Sequence, residues 1–363
     1  MANLYDYILW RGDLSFSQAK FCEVDGIIFS MLSYLDFDNI GGGEGISLRD
    51  AARDYCAEGN YESVEMGLIL PSPNINRLFC TAASTERYAR VYVTDYVAES
   101  GEGEAHQFSA ATFHLDTGHL VVAFRGTDDT IVGWKENCCL AFMDEIPAQR
   151  MAVEYLNLVA NKYPDRRIYV TGHSKGGNLT LYAALKCDER VGRRILRAYC
   201  NDGPGLSRSM IASSRYALME SRFTVLLPQS SYIGILFEKG EKYTVVKSLG
   251  VGPFQHDPFS WVLNGPHFEV MPELSEAAKK NEDQFRRNLD GMTPAEKRIL
   301  VEGVFKLLSS TGAKTLSELN DGRLSKLLAL AKVYGRVDKD DRELMVSLFL
   351  RLIEKTQKNT GSN

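Results

Sequence analysis

The chain has 363 residues, of which 44% are hydrophobic and 25% are charged, and its formal net charge at pH 7 is −5. This composition is typical of a globular protein with one large domain and a smaller one. The acidic balance gives no reason to expect nucleic acid as a partner, because a nucleic-acid-binding surface is normally basic.

The sequence shows no targeting or membrane-spanning segment. Residues 1–6 lack a basic region followed by an apolar one, and no run approaches the roughly 18 apolar residues that a membrane span needs. The seven cysteines are scattered and odd in number. We therefore expect reduced thiols and a cytoplasmic location. Cys138 and Cys139 are adjacent, which does not fit zinc-ligand spacing, and they are predicted to be core residues of a strand.

Residues 1–85 are predicted to be helical and irregular. The stretch 24–34 is largely apolar, and Ser47 is a candidate N-cap for a helix that follows it. The glycine cluster at 41–45 predicts a flexible turn. It lacks the Lys-Ser/Thr of a phosphate-binding loop.

The next part of the chain has the alternating pattern of strands. Apolar and polar residues alternate at 89–98 and at 107–114, and 119–124 is a continuous apolar run. Turn residues at 100–103 and 116–118 separate these runs. The pattern predicts a β-meander.

Helices and strands then alternate along the chain. Helices are predicted at 147–163 and 176–186, and strands at 167–171, 195–200, 223–227 and 243–246. This order predicts a mainly parallel sheet with helices on both faces, whose active site lies at the carboxyl ends of the strands.

From residue 271 onward the pattern is helical. Capping boxes occur at 293–296 and 315–318, and a last helix is predicted at 342–354. We therefore divide the chain into a sheet-containing domain, 1–270, and a helical C-terminal subdomain, 271–363. The sequence does not identify a partner for the C-terminal helices.

The strongest chemical motif is Gly-His-Ser-Lys-Gly at 172–176. A predicted strand runs into it and a predicted helix follows at once, as in a nucleophile elbow. Gly172 and Gly176 remove the side chains that would clash in so sharp a turn. The motif predicts Ser174 as a nucleophile, and the alternative is a glycine-rich turn with a hydrogen-bonded serine.

A second motif ends an earlier strand in Arg125-Gly126-Thr127. Acyl transfer needs two donors aimed at the developing oxyanion. The backbone N–H of Lys175, which follows the nucleophile, and that of Thr127 are the candidates. The alternative is that Arg125 and Thr127 only fix a turn.

These two motifs together resemble the class 3 (fungal-type) lipases, which have an F-R-G-[ST] strand, a Trp a few residues on, and then G-H-S-x-G-G. The resemblance covers roughly residues 90 to 270. The whole chain also resembles a bacterial Mbeg-like family of uncharacterised lipase-like hydrolases, and the matching stretches are 6–16, 202–205, 228–231 and 255–258. The resemblance implies an α/β-hydrolase fold for 1–270, ester-bond cleavage, and no metal or other cofactor.

The general base of such an enzyme is a histidine on a loop after the last strand. His256 follows the last predicted strand and matches the family position, and His267 is the second choice. His173 belongs to the elbow and is expected to point away from its neighbour. The alternative for either candidate is a partly buried structural histidine.

The acid departs from the lipase pattern, because no carboxylate follows the strand at 223–227. Asp202, at the end of the preceding strand, is the nearest candidate by topology. It could instead only cap the turn that follows it. Ser230 or Ser231 could also bind the histidine in a dyad-like arrangement, whereas Asp257 is adjacent to His256 and would point the wrong way.

We therefore expect a serine ester hydrolase that acts on a small acyl ester or a lipid. No long apolar insertion follows Trp134, which favours a soluble acyl ester over bulk fat unless the terminal helices act as a cap. The alternative is a non-catalytic scaffold or binding protein on a hydrolase fold, which the missing lipase-type acid motivates. A peptidase or acyltransferase with the same triad is a third reading that the fold cannot decide.

Overall fold

A computed structural model of the chain describes residues 1–41, 45–57, 72–101, 105–240, 242–315 and 318. The strands of these residues are β1 (Ile46–Ser47), β2 (Tyr92–Gly101), β3 (His106–His114), β4 (Leu120–Phe124), β5 (Ile168–His173), β6 (Ile195–Asn201), β7 (Phe223–Pro228), β8 (Thr244–Val246), β9 (Leu263–Asn264), β10 (His267–Phe268) and β11 (Val270–Met271).

The longer helices are α1 (Leu4–Arg11), α2 (Glu23–Leu32), α4 (Leu48–Ala57), α5 (Ser72–Ala83), α7 (Ile131–Cys139), α8 (Pro147–Lys162), α9 (Lys175–Lys186), α13 (Glu276–Asp290) and α14 (Pro294–Ser309). The shorter ones are α3 (Phe37–Gly41), α6 (Glu86–Ala89), α10 (Glu189–Gly192), α11 (Arg208–Ile211) and α12 (Ser214–Met219).

A mixed sheet forms the centre of the molecule, in the strand order β1-β2-β3-β4-β5-β6-β7-β8-β11. Strands β4 to β8 are parallel. Strands β1 to β4 pair antiparallel, as does β11 with β8. The α/β fold class and the β-meander predicted from the sequence are both confirmed.

Helices cover both faces of this sheet. Successive side chains of a strand point in opposite directions, so a single strand contributes to the core on each face. In β4, Val121 and Ala123 belong to a core with the N-terminal helices α1, α2, α4 and α5. Leu120, Val122 and Phe124 belong to a second core with α8 and α9. A strand buried on both faces explains the continuous apolar run at 119–124.

The N-terminal helices follow the predicted signals. The apolar stretch 24–34 includes all of α2 except Glu23, and Ser47 caps α4 by accepting a hydrogen bond at 3.1 Å from the N–H of Asp50. Of the glycine cluster, residues 42–44 lie outside the described residues.

Two predictions about cysteine are wrong. Cys138 and Cys139 end helix α7 rather than lying in a strand. Cys56 and Cys80 form a disulfide that joins α4 to α5, so these thiols are not reduced. A short apolar run does not distinguish strand from helix, and sequence alone does not determine cysteine pairing.

The C-terminal region contributes α13 and α14, and Thr293 caps α14 in the predicted capping box. Side chains of α14 pack on α7 in a small apolar cluster that includes Phe305 and Ile131. The N–H of Ile131 also donates to the carbonyl oxygen of Lys314 at 2.9 Å. The helix predicted at 342–354 lies outside the described residues. None of the described helices is long and apolar enough to cross a membrane.

Candidate active site

The predicted nucleophile lies in a sharp turn between β5 and α9. Ser174 has φ 57° and ψ −130°, a conformation that side-chain-bearing residues rarely adopt. A Cβ atom at Gly172 would lie 2.1 Å from the carbonyl oxygen of Gly176. One at Gly176 would lie 2.1 Å from that of Phe124. Both glycines are therefore required by close backbone packing around the turn.

The predicted base and acid are in contact. His256 Nδ1 lies 2.6 Å from Asp202 Oδ2, and both side chains are buried. Asp202 follows the end of β6, and His256 lies in a short 3₁₀ helix, Gly252–His256, beyond β8. Ser174 and His256 line one cavity. The structure thus brings His256 into contact with Asp202 and places Ser174 and His256 on the same cavity.

The other candidates for base and acid lie elsewhere. His267 is largely exposed and pairs with Glu23 at 2.7 Å. Asp257 accepts a hydrogen bond from the N–H of Phe259 at 3.0 Å. Burial raises the pKa of Asp257 to about 6, and the hydrogen bond from Phe259 opposes this rise.

The serines after β7 support the acid rather than the histidine. Ser231 is fully buried, and its hydroxyl donates to Asp202 Oδ1. The N–H of Gly234 donates to the same oxygen at 3.1 Å. The Ser230 hydroxyl instead contacts that of Ser275 at 2.8 Å. Asp202 therefore has one carboxylate oxygen held by the loop after β7 and the other facing His256.

His173 has a role that the sequence did not reveal. Burial lowers its pKa well below the ordinary value, so the imidazole is neutral. Its Nε2 lies 2.9 Å from the carbonyl oxygen of His256, to which it donates, and the Tyr34 hydroxyl lies 3.3 Å from its Nδ1. His173 thus holds the backbone of His256, and Tyr34 of the N-terminal part supports His173. The only sequence signal was the adjacency of His173 to Ser174.

The two predicted oxyanion donors belong to neighbouring segments. Within the described part of the chain, the backbone N–H groups of Thr127 and Lys175 have no protein acceptor. The Thr127 hydroxyl accepts a hydrogen bond from Asn137 Nδ2. The Lys175 side chain is completely buried and contacts Glu136 and Gln107. Thr127 lines the cavity that Ser174 also lines, whereas Lys175 does not.

A cavity of about 260 Å³ adjoins Ser174 and has a mostly apolar lining. Helix α7 and the loop before residue 240 form one side of it. Helices α13 and α14 provide the apolar side chains Phe285, Leu289, Leu300 and Val301, and the turn between the two helices provides Met292. Of the two possible caps, the C-terminal helices therefore cover much of this cavity, and the N-terminal part contributes Tyr34. The described residues contain no cluster of three or more His, Cys, Asp or Glu side chains that could hold a metal ion.

A protein-family model described as Mbeg1-like matches residues 82–306, more than half of the chain. A search of curated proteins finds no significant match. Among solved structures, the chain is similar to an MDLA variant from Penicillium cyclopium, with 13% identity, a TM-score of 0.40, and coverage of 68% of this chain and 83% of the other.

Two further structures show a similar level of likeness. Lipase II from Rhizopus niveus has 11% identity, a TM-score of 0.37, and coverage of 62% of this chain and 80% of the other. Lip2 lipase from Yarrowia lipolytica has 12% identity, a TM-score of 0.37, and coverage of 65% and 82%.

Proposed function

The chain belongs to the Mbeg1-like family, and we propose that it is a serine hydrolase that cleaves acyl esters. The observation that carries the proposal is the 2.6 Å contact between His256 Nδ1 and Asp202 Oδ2 beside a cavity that Ser174 also lines. A buried Asp–His pair next to a serine in an elbow is the arrangement that activates a serine hydroxyl.

In the proposed reaction, Ser174 Oγ attacks the acyl carbonyl carbon while His256 Nε2 takes its proton. Asp202 accepts the Nδ1–H of His256, which leaves Nε2 free to act as the base. The backbone N–H groups of Thr127 and Lys175 stabilise the oxyanion. His256 then protonates the leaving alcohol, and water repeats the sequence to release the acid and free Ser174.

The cavity supports an apolar acyl chain as the group bound beside Ser174, since its lining is mostly apolar. We propose a small acyl ester or a single-chain lipid ester as substrate. Hydrolysis and transfer to another acceptor share the same first step, so the acceptor is decided by experiment. Helices α13 and α14 belong to the proposed helical subdomain, 271–363, and complete the substrate cavity of the proposed hydrolase domain, 1–270.

The cytoplasmic location stays a prediction. The Cys56–Cys80 disulfide weighs against it, because stable disulfides are rare in the reducing cytosol. Thiol alkylation of the protein in its native cells, before and after reduction, would reveal whether this pair is oxidised there.

Fluorophosphonate labelling tests the function. We expect covalent labelling of the native chain, none of Ser174→Ala, and at least a hundredfold slower labelling of His256→Ala, because a base contributes roughly 10²- to 10⁴-fold. His267→Ala is the matched control and should label at the native rate, since His267 pairs with Glu23 at the surface. Native protein that resists the reagent, or labelling that persists without His256, would contradict the hydrolase and favour the non-catalytic scaffold.

A series of p-nitrophenyl esters of increasing chain length defines the substrate. We expect turnover to rise with chain length until the cavity is filled and then to fall. A native protein that labels with fluorophosphonate but hydrolyses none of these esters would favour a peptidase or acyltransferase.

A further inference from the structure

A fully buried ion pair lies behind the elbow. Lys175 Nζ is 2.9 Å from Glu136 Oε2, and both side chains are 0% exposed. Lys175 Nζ also donates to Gln107 Oε1 at 2.9 Å. All these contacts turn the ammonium away from the cavity, which Lys175 does not line. The lysine is therefore not placed to act as a base toward Ser174.

The carboxylate of Glu136 joins further elements at the same point. Its Oε1 accepts from the N–H of Ala148, at the start of α8, at 2.9 Å. Its Oε2 accepts from the N–H of Gln107, in β3, at 3.1 Å. With Lys175 at the first position of α9 and Glu136 in α7, one ion pair connects four elements.

Stability alone does not account for this pair. Removing two charges from water costs as much free energy as their attraction returns, or more, so an apolar pair of similar volume is usually at least as stable. Burial lowers the pKa of Lys175 and the charge of Glu136 opposes this, which reflects the same cost. A side chain held at such cost beside a reactive group is a candidate for a positioning role.

The geometry connects the pair to both halves of the proposed oxyanion hole. Glu136 holds the side chain of Lys175, whose N–H is one donor. Asn137, which follows Glu136 in the sequence, holds the hydroxyl of Thr127, whose N–H is the other donor. The last turn of α7 therefore contacts both residues that supply the donors.

We propose that the Lys175–Glu136 ion pair is a positioning clamp that fixes the spacing of the two oxyanion donors. The inference rests on the proposed hydrolase function, because it assigns no role to the pair outside acyl transfer. Stabilisation of a developing oxyanion depends on preorganised donors, so a loosened clamp lowers kcat more than it raises KM.

The test replaces both charges at once, because a single substitution would leave one buried charge without a partner. We expect Lys175→Met/Glu136→Leu to fold with a lower Tm than the native chain, because the N–H groups of Ala148 and Gln107 lose their acceptor, so kcat is measured on the folded protein. Its kcat on a p-nitrophenyl ester should fall roughly 10- to 100-fold while KM changes less than about twofold. Its Ki for a trifluoromethyl ketone, which forms an oxyanion on Ser174, should rise by the same factor as kcat falls.

A second buried ion pair provides the matched control. Asp25 and Arg87 are also 0% exposed and 2.7 Å apart, but they lie among the N-terminal helices and do not line the cavity beside Ser174. Asp25→Leu/Arg87→Met should leave kcat and the Ki for the ketone unchanged in the folded fraction. Equal loss of kcat in both double variants would show that buried pairs act only through stability.

Glu136→Asp covers the case in which the double variant does not fold. It keeps the charge but shortens the side chain by one methylene, so we expect a smaller, parallel change in kcat and in the Ki of the ketone. A folded variant of either kind with native kcat would overturn the clamp. If instead the native chain neither labels with fluorophosphonate nor hydrolyses esters, the proposed function fails before the clamp is tested.

Discussion

Ser174 has a backbone conformation that is costly for any residue with a side chain. A residue held in a sparsely populated region of φ and ψ costs about 1–3 kcal/mol, and it persists only where its surroundings enforce it. Here Gly172 and Gly176 remove the clashes, and the N–H of Ser174 donates to the carbonyl oxygen of Asn201 at 3.1 Å. The turn thus stores strain at the residue that we propose as the nucleophile.

This strain predicts a difference between two inactive variants. Ser174→Gly should have a larger free energy of unfolding than Ser174→Ala, by about 1 kcal/mol, because only glycine adopts a φ of 57° without strain. Urea denaturation of both variants measures the difference. Equal stabilities, or a more stable alanine variant, would show that the turn is not strained at this residue.

The contacts that hold Asp202 predict that variants of Asp202 and of Ser231 lose activity to different degrees. Asp202→Asn should lower kcat about 10³- to 10⁴-fold, because the amide no longer stabilises the correct tautomer or the charged form of His256. Ser231→Ala removes one of the contacts to Asp202 and should lower kcat only about tenfold. Steady-state kinetics of both variants checks the order. A greater loss in Ser231→Ala would indicate that Ser231 acts on the histidine directly.

The raised pKa of Asp257 predicts that the stability of the folded chain depends on pH. Burial raises its folded-state pKa from 3.8 to about 6, so between these values the folded chain binds more protons than the unfolded chain. Its contribution to stability is therefore lost as pH rises through that window. Asp257→Asn should have a higher Tm than the native chain at pH 7, and the difference should vanish below about pH 4. A difference that does not change with pH would contradict the shift.

At this scale the sequence predicts the residues whose neighbours in the chain form a motif. Ser174, His256 and Asp202 follow from an elbow, a loop and a strand end. The contacts of Tyr34 with His173, and of Lys175 with Glu136, join residues 139 and 39 positions apart in the chain. No local pattern encodes such contacts, because they arise only when the elements pack.

Among the elements, α13 and α14 have the clearest effect on the site. The sequence predicts this region only as a helical subdomain, and α13 buries only Ala278 fully. In the structure their apolar side chains face the cavity beside Ser174. A helix can thus be largely exposed and still form part of a substrate pocket.

A larger side chain on α13 should shorten the acyl chain that the cavity accepts. Leu289→Trp places a bulky ring at the cavity wall, so we expect the preferred p-nitrophenyl ester to become shorter while the shortest esters keep their rates. Asp283→Trp, at an exposed position of the same helix, is the control and should keep the native preference. An unchanged preference in Leu289→Trp would show that the acyl chain binds elsewhere.

Elements were predicted well where the pattern extended over a long stretch of the sequence. The alternation of short apolar runs with longer helical stretches from residue 119 onward identified the parallel sheet, since strands and helices differ in length. Helix α7 was not recognised, and its last residues, Cys138 and Cys139, were assigned to a strand. Its length of nine residues and mixed polarity give neither pattern clearly.

At the scale of the whole molecule, we expect removal of the disulfide to lower the free energy of unfolding and to leave the activity unchanged. Cys56 and Cys80 are 24 residues apart, and closing a loop of that length stabilises a folded chain by about 3 kcal/mol. Cys56→Ser/Cys80→Ser should therefore unfold at lower urea concentration and keep the native kcat. Reduction of the native chain should reproduce the shift, and an unchanged midpoint in both would show that the bond closes a loop that is already constrained.

The position of α13 and α14 in the sequence also affects the order in which the site forms during synthesis. Both helices follow every described strand of the sheet in the sequence. The ribosome therefore releases the elbow, Asp202 and His256 before it releases α13 and α14. Domains generally begin to fold from the N-terminal side during synthesis. We therefore expect a nascent chain to contain the assembled Ser174, His256 and Asp202 before it has a complete acyl cavity, and to become selective for its substrate only after α13 and α14 have been synthesised.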